Sequence, residues 1–171
     1  MSESDSVADG QDHQLDSRVI PMQRLAGGLG AAGVALGTLA ALVIVLVVGD
    51  DVPAWLRRWL PALWLVLVAM VGVIAYRWPP RHYAFTSYRV DDSGIEIRRG
   101  VYWRSVINVP RSRVQHIDVS QGPLDRRYGL GTLVLYTAGT DHARVDLAGL
   151  EHGRALRIRQ HLLPSGADDA V

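Results

Sequence analysis

The chain has 171 residues, of which 49% are hydrophobic and only 20% charged, with a formal net charge of +1. It contains no cysteine, which excludes disulfides, thiolate metal sites and cysteine nucleophiles together. The small total charge hides unlike parts: residues 1–24 carry two arginines against five acids, whereas residues 81–163 carry thirteen arginines against eight acids.

Residues 1–24 are polar and acidic with few large apolar groups, a composition that predicts a disordered tail. The segment is also too long and too acidic to be the leading part of a signal peptide. From Leu25 to Gly49 no side chain is charged, and Thr38 alone carries a hydrogen-bonding group. Such a run reads as a membrane span, because about 20 residues at ~1.5 Å each cross a ~30 Å hydrocarbon core. It opens with G-x-G-x-x-G at Gly28, Gly30 and Gly33, followed by the acids Asp50 and Asp51. That fingerprint marks a dinucleotide site only between a strand and a helix with a polar face. Neither is present, so no nucleotide cofactor is expected. The glycines read instead as a strip of small residues, Gly33, Gly37 and Ala41, for close helix packing in lipid.

The sequence GDDVPAWLRRWLP turns the chain, with Pro53 and Pro61 limiting helix between the spans. A second uncharged span follows over 60–76, and Trp55, Trp59, Trp64 and Trp78 gather around its ends, where amphipathic rings favour the membrane–water boundary. Residues 25–78 are thus expected to form a two-helix hairpin crossing the bilayer at about 25–48 and 60–76. Arg18, Arg24, Arg77 and Arg81 flank the spans on the terminal side, against Arg57 and Arg58 in the loop. The arginine bias predicts a multi-pass inner-membrane protein with both termini in the cytoplasm.

After RWPPR the periodicity becomes that of strands. Ile95 and Ile97 alternate with Glu96 and Arg98. Val101, Trp103, Ile107 and Val109 share one parity, which places Trp103 on a buried face. RVQHIDVSQ, GTLVLYTAG and HARVDLAGL add three strands, and DDSG, RRG and TAGTD supply turns. GLEHGRALRIRQHLLP places Ala155, Ile158 and Leu162 at helical spacing, with Arg154, Arg157 and Arg159 on the outer side. The fold expected is membrane-anchored α+β: the hairpin, then a small antiparallel domain over 81–163 closed by a C-terminal helix, then a disordered tail over 164–171.

The run from Y-x-F-T through GIEIRRGV and VPRSRVQHIDVSQGPLDRRYGLGTLVLYTAG resembles the bacterial PH-like domain of YdbS-type membrane proteins. The most specific matches are Pro110, Gln115, Gln121, Leu124, Arg127, Gly129, Leu130 and the turn at Thr137. The resemblance implies a PH-like barrel of two packed sheets, with two membrane helices placed before it. It implies no agreed biochemical activity.

No residue pattern points to catalysis or to a metal or cofactor. His116 and Asp118 share a strand face without a third ligand, and no serine sits in a nucleophile elbow. Eukaryotic PH domains hold inositide phosphates with basic side chains around the first hairpin loop. Here the loop VDDSG is acidic, which disfavours tight phosphate capture. The expected role is a non-enzymatic scaffold or protein-interaction module, with a protein partner that includes other PH-like membrane proteins or a second copy. The alternative is sensing of an anionic lipid surface by weak contact. Candidate contact residues are Arg126, Arg127 and Tyr128 in SQGPLDRRYGLG, with Arg154, Arg157 and Arg159 on the last helix. Nucleic acid is not an expected partner, since no stacking-aromatic motif is present.

Overall fold

Two helices carry the apolar runs: α1 (Val19–Val48) and α2 (Ala54–Ala84), both long and apolar enough to cross a membrane. The structure is a computed structural model that describes residues 7–49, 52–138 and 144–163. It divides into two compact units: residues 23–79, and a second unit in which residues up to Met22 join those from Pro80 onward.

Within the helical unit the half-buried positions of α1 include Gly27, Ala31, Ala35, Thr38, Leu42 and Leu46, a spacing of three and four. They form a seam against Leu60, Trp64, Val68, Val71 and Ala75 of α2. A Cβ added at Gly27 would lie 3.4 Å from that of Ala75, so the backbones approach closely there. The Trp64 indole donates to Thr38 Oγ1 at 2.9 Å, satisfying the one polar side chain of the first apolar run. The strip at Gly33 and Gly37 is not part of this seam, and nothing lies within 4 Å of a Cβ added at either. Each sits two residues on from Ala31 or Ala35, which turns it about 200° round the helix. Ala41 lies beside the crevice between the helices. The helices also exceed the expected spans. α2 starts directly after Pro53 and runs through Pro61, Pro79 and Pro80.

In the second unit, β1 (Asp12–Gln14), β2 (Ser87–Asp91), β3 (Gly94–Arg99) and β4 (Ser105–Pro110) form one antiparallel sheet in that order. β5 (Val114–Ser120), β6 (Leu130–Thr137) and β7 (Arg144–Glu151) form the other. A short helix, α3 (Pro123–Tyr128), joins β5 to β6, and α4 (His152–Leu162) follows β7 and packs on the second sheet. Alternating residues Tyr88, Val90, Ile95, Ile97, Ile107 and Val109 fill the space between the sheets from one side. Ile117, Leu133, Leu135, Val145 and Leu147 fill it from the other, and Ala155, Ile158 and Leu162 of α4 close it.

The expected disorder of residues 1–24 does not hold where the chain is described. β1 pairs with β2 in the register Asp12 opposite Arg89 and Gln14 opposite Ser87. Gly10 N–H donates to Val90 O at 3.0 Å, and Asp16 N–H to Gly149 O at 2.9 Å. Leu15 and Val19 are buried in the core. The described acids of this segment are paired: Asp12 meets Arg98 at 2.7 Å and Arg89 at 3.2 Å. Asp16 accepts from the Arg18 guanidinium and backbone, and this hydrogen bonding holds its carboxyl below the usual carboxylate range. An acidic segment has docked on a basic domain. The membrane hairpin is therefore inserted between the first and second strands of the domain and does not simply precede it. The expected tail over 164–171 lies outside the described residues.

Trp103 is a second correction, because it is 90% exposed. β4 begins only at Ser105, and Gly100 at φ +126° breaks the pleat before it. Parity counted back from Ile107 and Val109, which are buried, does not carry through that turn.

Candidate interaction surface

Among the described residues the free strand edges are β1 and β4 in one sheet and β5 and β7 in the other. Unpaired edges attract foreign strands, and proteins blunt them with short length, charges or bulges. β1 is three residues long and carries the paired Asp12. β5 has a bulge between Val114 and His116, then an exposed His116–Asp118 pair at 2.7 Å. β7 begins with the ion pair Arg144–Asp146 at 2.9 Å. β4, with the sequence SVINVP, has no charged residue along its length. Its Val106 is 63% exposed, and Asn108 is exposed on the same face. A groove of about 200 Å³ runs beside it, lined by β4 together with Arg113, Thr137 and Ala138.

The arginines singled out from sequence lie elsewhere. Pro123 opens α3, the Gly122 N–H donates to Asp125 Oδ2 at 2.9 Å, and Gly129 at φ +69° ends the helix. This brings Arg126 and Arg127 to the outside, while Tyr128 is half-buried and packs against the core. Tyr128 is thus part of the cover over the barrel end. On α4, Arg154 is half-buried with its guanidinium 5.6 Å from the centre of the Tyr88 ring. Arg157 and Arg159 are exposed. Two residues apart on a helix, they point about 200° away from each other and do not make one face. His152 N–H donates to Gly129 O at 3.1 Å, so the end of α3 abuts the start of α4 near Arg154, not near Arg159.

The acidic loop is not the first connection between strands. With β1 in the sheet, the first connection between strands is the membrane hairpin, and VDDSG is the second. Asp91 is used internally there. It accepts from the Ser93 hydroxyl and from the backbone N–H groups of Ser93 and Gly94, which depresses its pKa. Asp92 stands fully in solvent. Among the described residues no three His, Asp or Glu side chains converge on a point that could hold a metal ion.

Sheets of four and three antiparallel strands, closed by a helix after the last strand, define a PH-like domain, here joined to a two-helix membrane hairpin. Residues 24–165 match the bacterial PH domain family. Over 121 residues the chain is 36% identical to the UPF0699 transmembrane protein YdbS of Bacillus subtilis strain 168, covering 70% of this chain and 72% of that protein. No solved structure matches significantly. The chain belongs to the bacterial PH domain family and has the two-helix membrane layout of its YdbS-like members. The matched region begins after β1, so the strand that completes the first sheet lies upstream of it.

Proposed function

We propose that this chain is a non-enzymatic scaffold or interaction module, anchored in the inner membrane, that binds a protein partner by strand addition along β4. The uncharged, unpaired edge of β4 beside its groove carries this reading, because the other three edges are each shortened, bulged or charged. The partner class that fits is an extended segment of a similar membrane protein or of a second copy. Photo-crosslinking tests it. A photoreactive residue at Val106 of the full chain in native membranes should give protein adducts, which Asn108→Lys abolishes without lowering the melting temperature. Adducts only to lipid, or adducts indifferent to Asn108→Lys, would contradict strand addition.

Lipid attraction spread evenly over the domain is the weaker reading. Residues 7–22 add three acids and one arginine to the thirteen arginines and eight acids of 81–163, which lowers the excess from +5 to +3.

The arginine bias supports both termini in the cytoplasm. A reporter active only outside the membrane should stay silent when fused after Val171 and be active when inserted at Pro53. The reverse pattern overturns the orientation.

A further inference from the structure

Among the described residues of the PH-like unit, the exposed large hydrophobic side chains are Phe85, Tyr102, Trp103 and Val106. Scattered apolar residues on a surface need no explanation, but these four share one end of one sheet. The register sets this. Gln14 faces Ser87, Ser87 faces Arg98, and Arg99 faces Ser105. The end of β1, the start of β2 and the β3–β4 turn therefore lie side by side. From that same end the chain leaves β1 for α1 and returns from α2 into β2. The acidic β2–β3 turn, where Asp91 faces Gly94, is at the opposite end.

The turn itself is built to hold its aromatic residues out. At Gly100, φ is +126° and an added Cβ would collide with the carbonyl oxygen of Trp103, so only glycine closes the turn this tightly. Tyr102 is left 75% exposed and Trp103 90% exposed. Rings of these two types, with an apolar body and a polar atom at the edge, are the ones that favour the headgroup layer of a bilayer. The charges around them agree. Arg99 and Arg104 flank the pair and are exposed, Arg99 with one long hydrogen bond of 3.5 Å to the Asp146 carbonyl, whereas Arg98 is committed to the carboxylates of Glu96 and Asp12. No acidic residue occurs from Ile97 to Ile117.

We propose that the β3–β4 turn is a membrane-docking element for the anionic leaflet. Tyr102 and Trp103 seat among the headgroups, and Arg99 and Arg104 lie against lipid phosphates. The short tether from α2 raises the local concentration of that leaflet, so a contact of modest intrinsic strength is enough. Docking fixes the orientation of the domain, with the sheet end that carries the two membrane connections held at the bilayer. This inference is independent of strand addition at β4, and either can fail alone.

The absence of native cysteine makes single-site labelling clean. Nitroxide labels at Tyr102→Cys and, as the opposite-end control, at Asp92→Cys are placed in the full chain in nanodiscs. The discs contain phosphatidylcholine alone or with phosphatidylglycerol. Collisions with oxygen report lipid, and collisions with a water-soluble nickel chelate report solvent. With phosphatidylglycerol, the label at 102 should favour oxygen several-fold more than the label at 92. Trp103→Ser should reduce that preference, and Arg99→Glu with Arg104→Glu should reduce the inserted fraction roughly tenfold or more. All of these exposed substitutions should leave the melting temperature within a few degrees. A label at 102 as wet as that at 92 in both discs would overturn the proposal. So would one shielded from both probes regardless of lipid, which is the signature of a protein contact.

Discussion

Replacing Leu15 by aspartate is expected to unfold the PH-like unit in the full-length protein. Leu15 is 5% exposed and packs in the same core as Tyr88, Ile97 and Leu135, although it precedes the membrane hairpin in sequence. An unpaired carboxylate there loses its hydration without gaining a partner, at a cost of about 3–5 kcal/mol. A domain of this size has a total stability on the order of 5–15 kcal/mol, so little would remain. Leu15→Ala should cost about 2–4 kcal/mol by cavity formation. Asp12→Ala, which removes only exposed ion pairs with Arg89 and Arg98, should cost no more than about 1 kcal/mol. Melting of the detergent-solubilised full chain, followed by protease resistance of residues 80–163, reads all three. If Leu15→Asp melts like the parent, the segment before the hairpin is not part of the core.

Gly149→Ala is the second substitution with a large expected effect. Gly149 adopts φ +86°, and an added Cβ would collide with the Val19 side chain at the start of α1. The left-handed backbone alone costs a residue with a Cβ roughly 1–2 kcal/mol. Overpacking against Val19 adds about 1–3 kcal/mol. The same glycine accepts the Asp16 N–H through its carbonyl, so any shift to relieve the collision strains the hydrogen bond that docks the segment. Val19→Ala in the same chain should recover part of the loss, giving a coupling of about 1 kcal/mol or more, whereas unconnected sites add within about 0.5 kcal/mol. Strict additivity would mean that the collision is absent and that the start of α1 does not rest on β7.

Much of this architecture is legible in the sequence. Strands β3 and β5–β7 and helix α4 read correctly because each buries a face at its own period, as with Ile95 and Ile97, or Ala155, Ile158 and Leu162. The two apolar helices are legible from length and lack of charge. What fails to show in the sequence depends on partners far along the chain. β1 has three residues and no apolar period, and its one signal was the acidic excess of the tail set against the basic excess of the domain. Trp103 escapes the strand parity because period two holds only within a strand, and Gly100 ends the strand before it. The glycine strip is legible as small residues, but which face of α1 meets α2 is not, since that seam is fixed by which face of α2 presents Trp64 and Ala75. The β4 edge was out of reach for a similar reason. No property of SVINVP says that it ends its sheet, and only the strand order of the described residues shows it.

These observations converge on one structural statement: the membrane hairpin is an insertion between the first two strands of a PH-like domain. Both of its ends are then tied to a single folded unit, one through Gln14 and Val19 and the other through Ala84 and Ser87. The strand register puts the β3–β4 turn at the sheet end where the chain enters and leaves the hairpin, and with β1 at the far side of the sheet β4 is one of its two edges. Amide hydrogen exchange of the full chain in nanodiscs tests the statement most directly. Gly10 and Asp16 donate backbone hydrogen bonds to Val90 and Gly149, and β1 is paired along β2. Residues 10–16 should therefore be protected together with β2 and lose protection cooperatively with it. Exchange of residues 10–16 at the rate of an open chain, while β2 and β5–β7 remain protected, would contradict it.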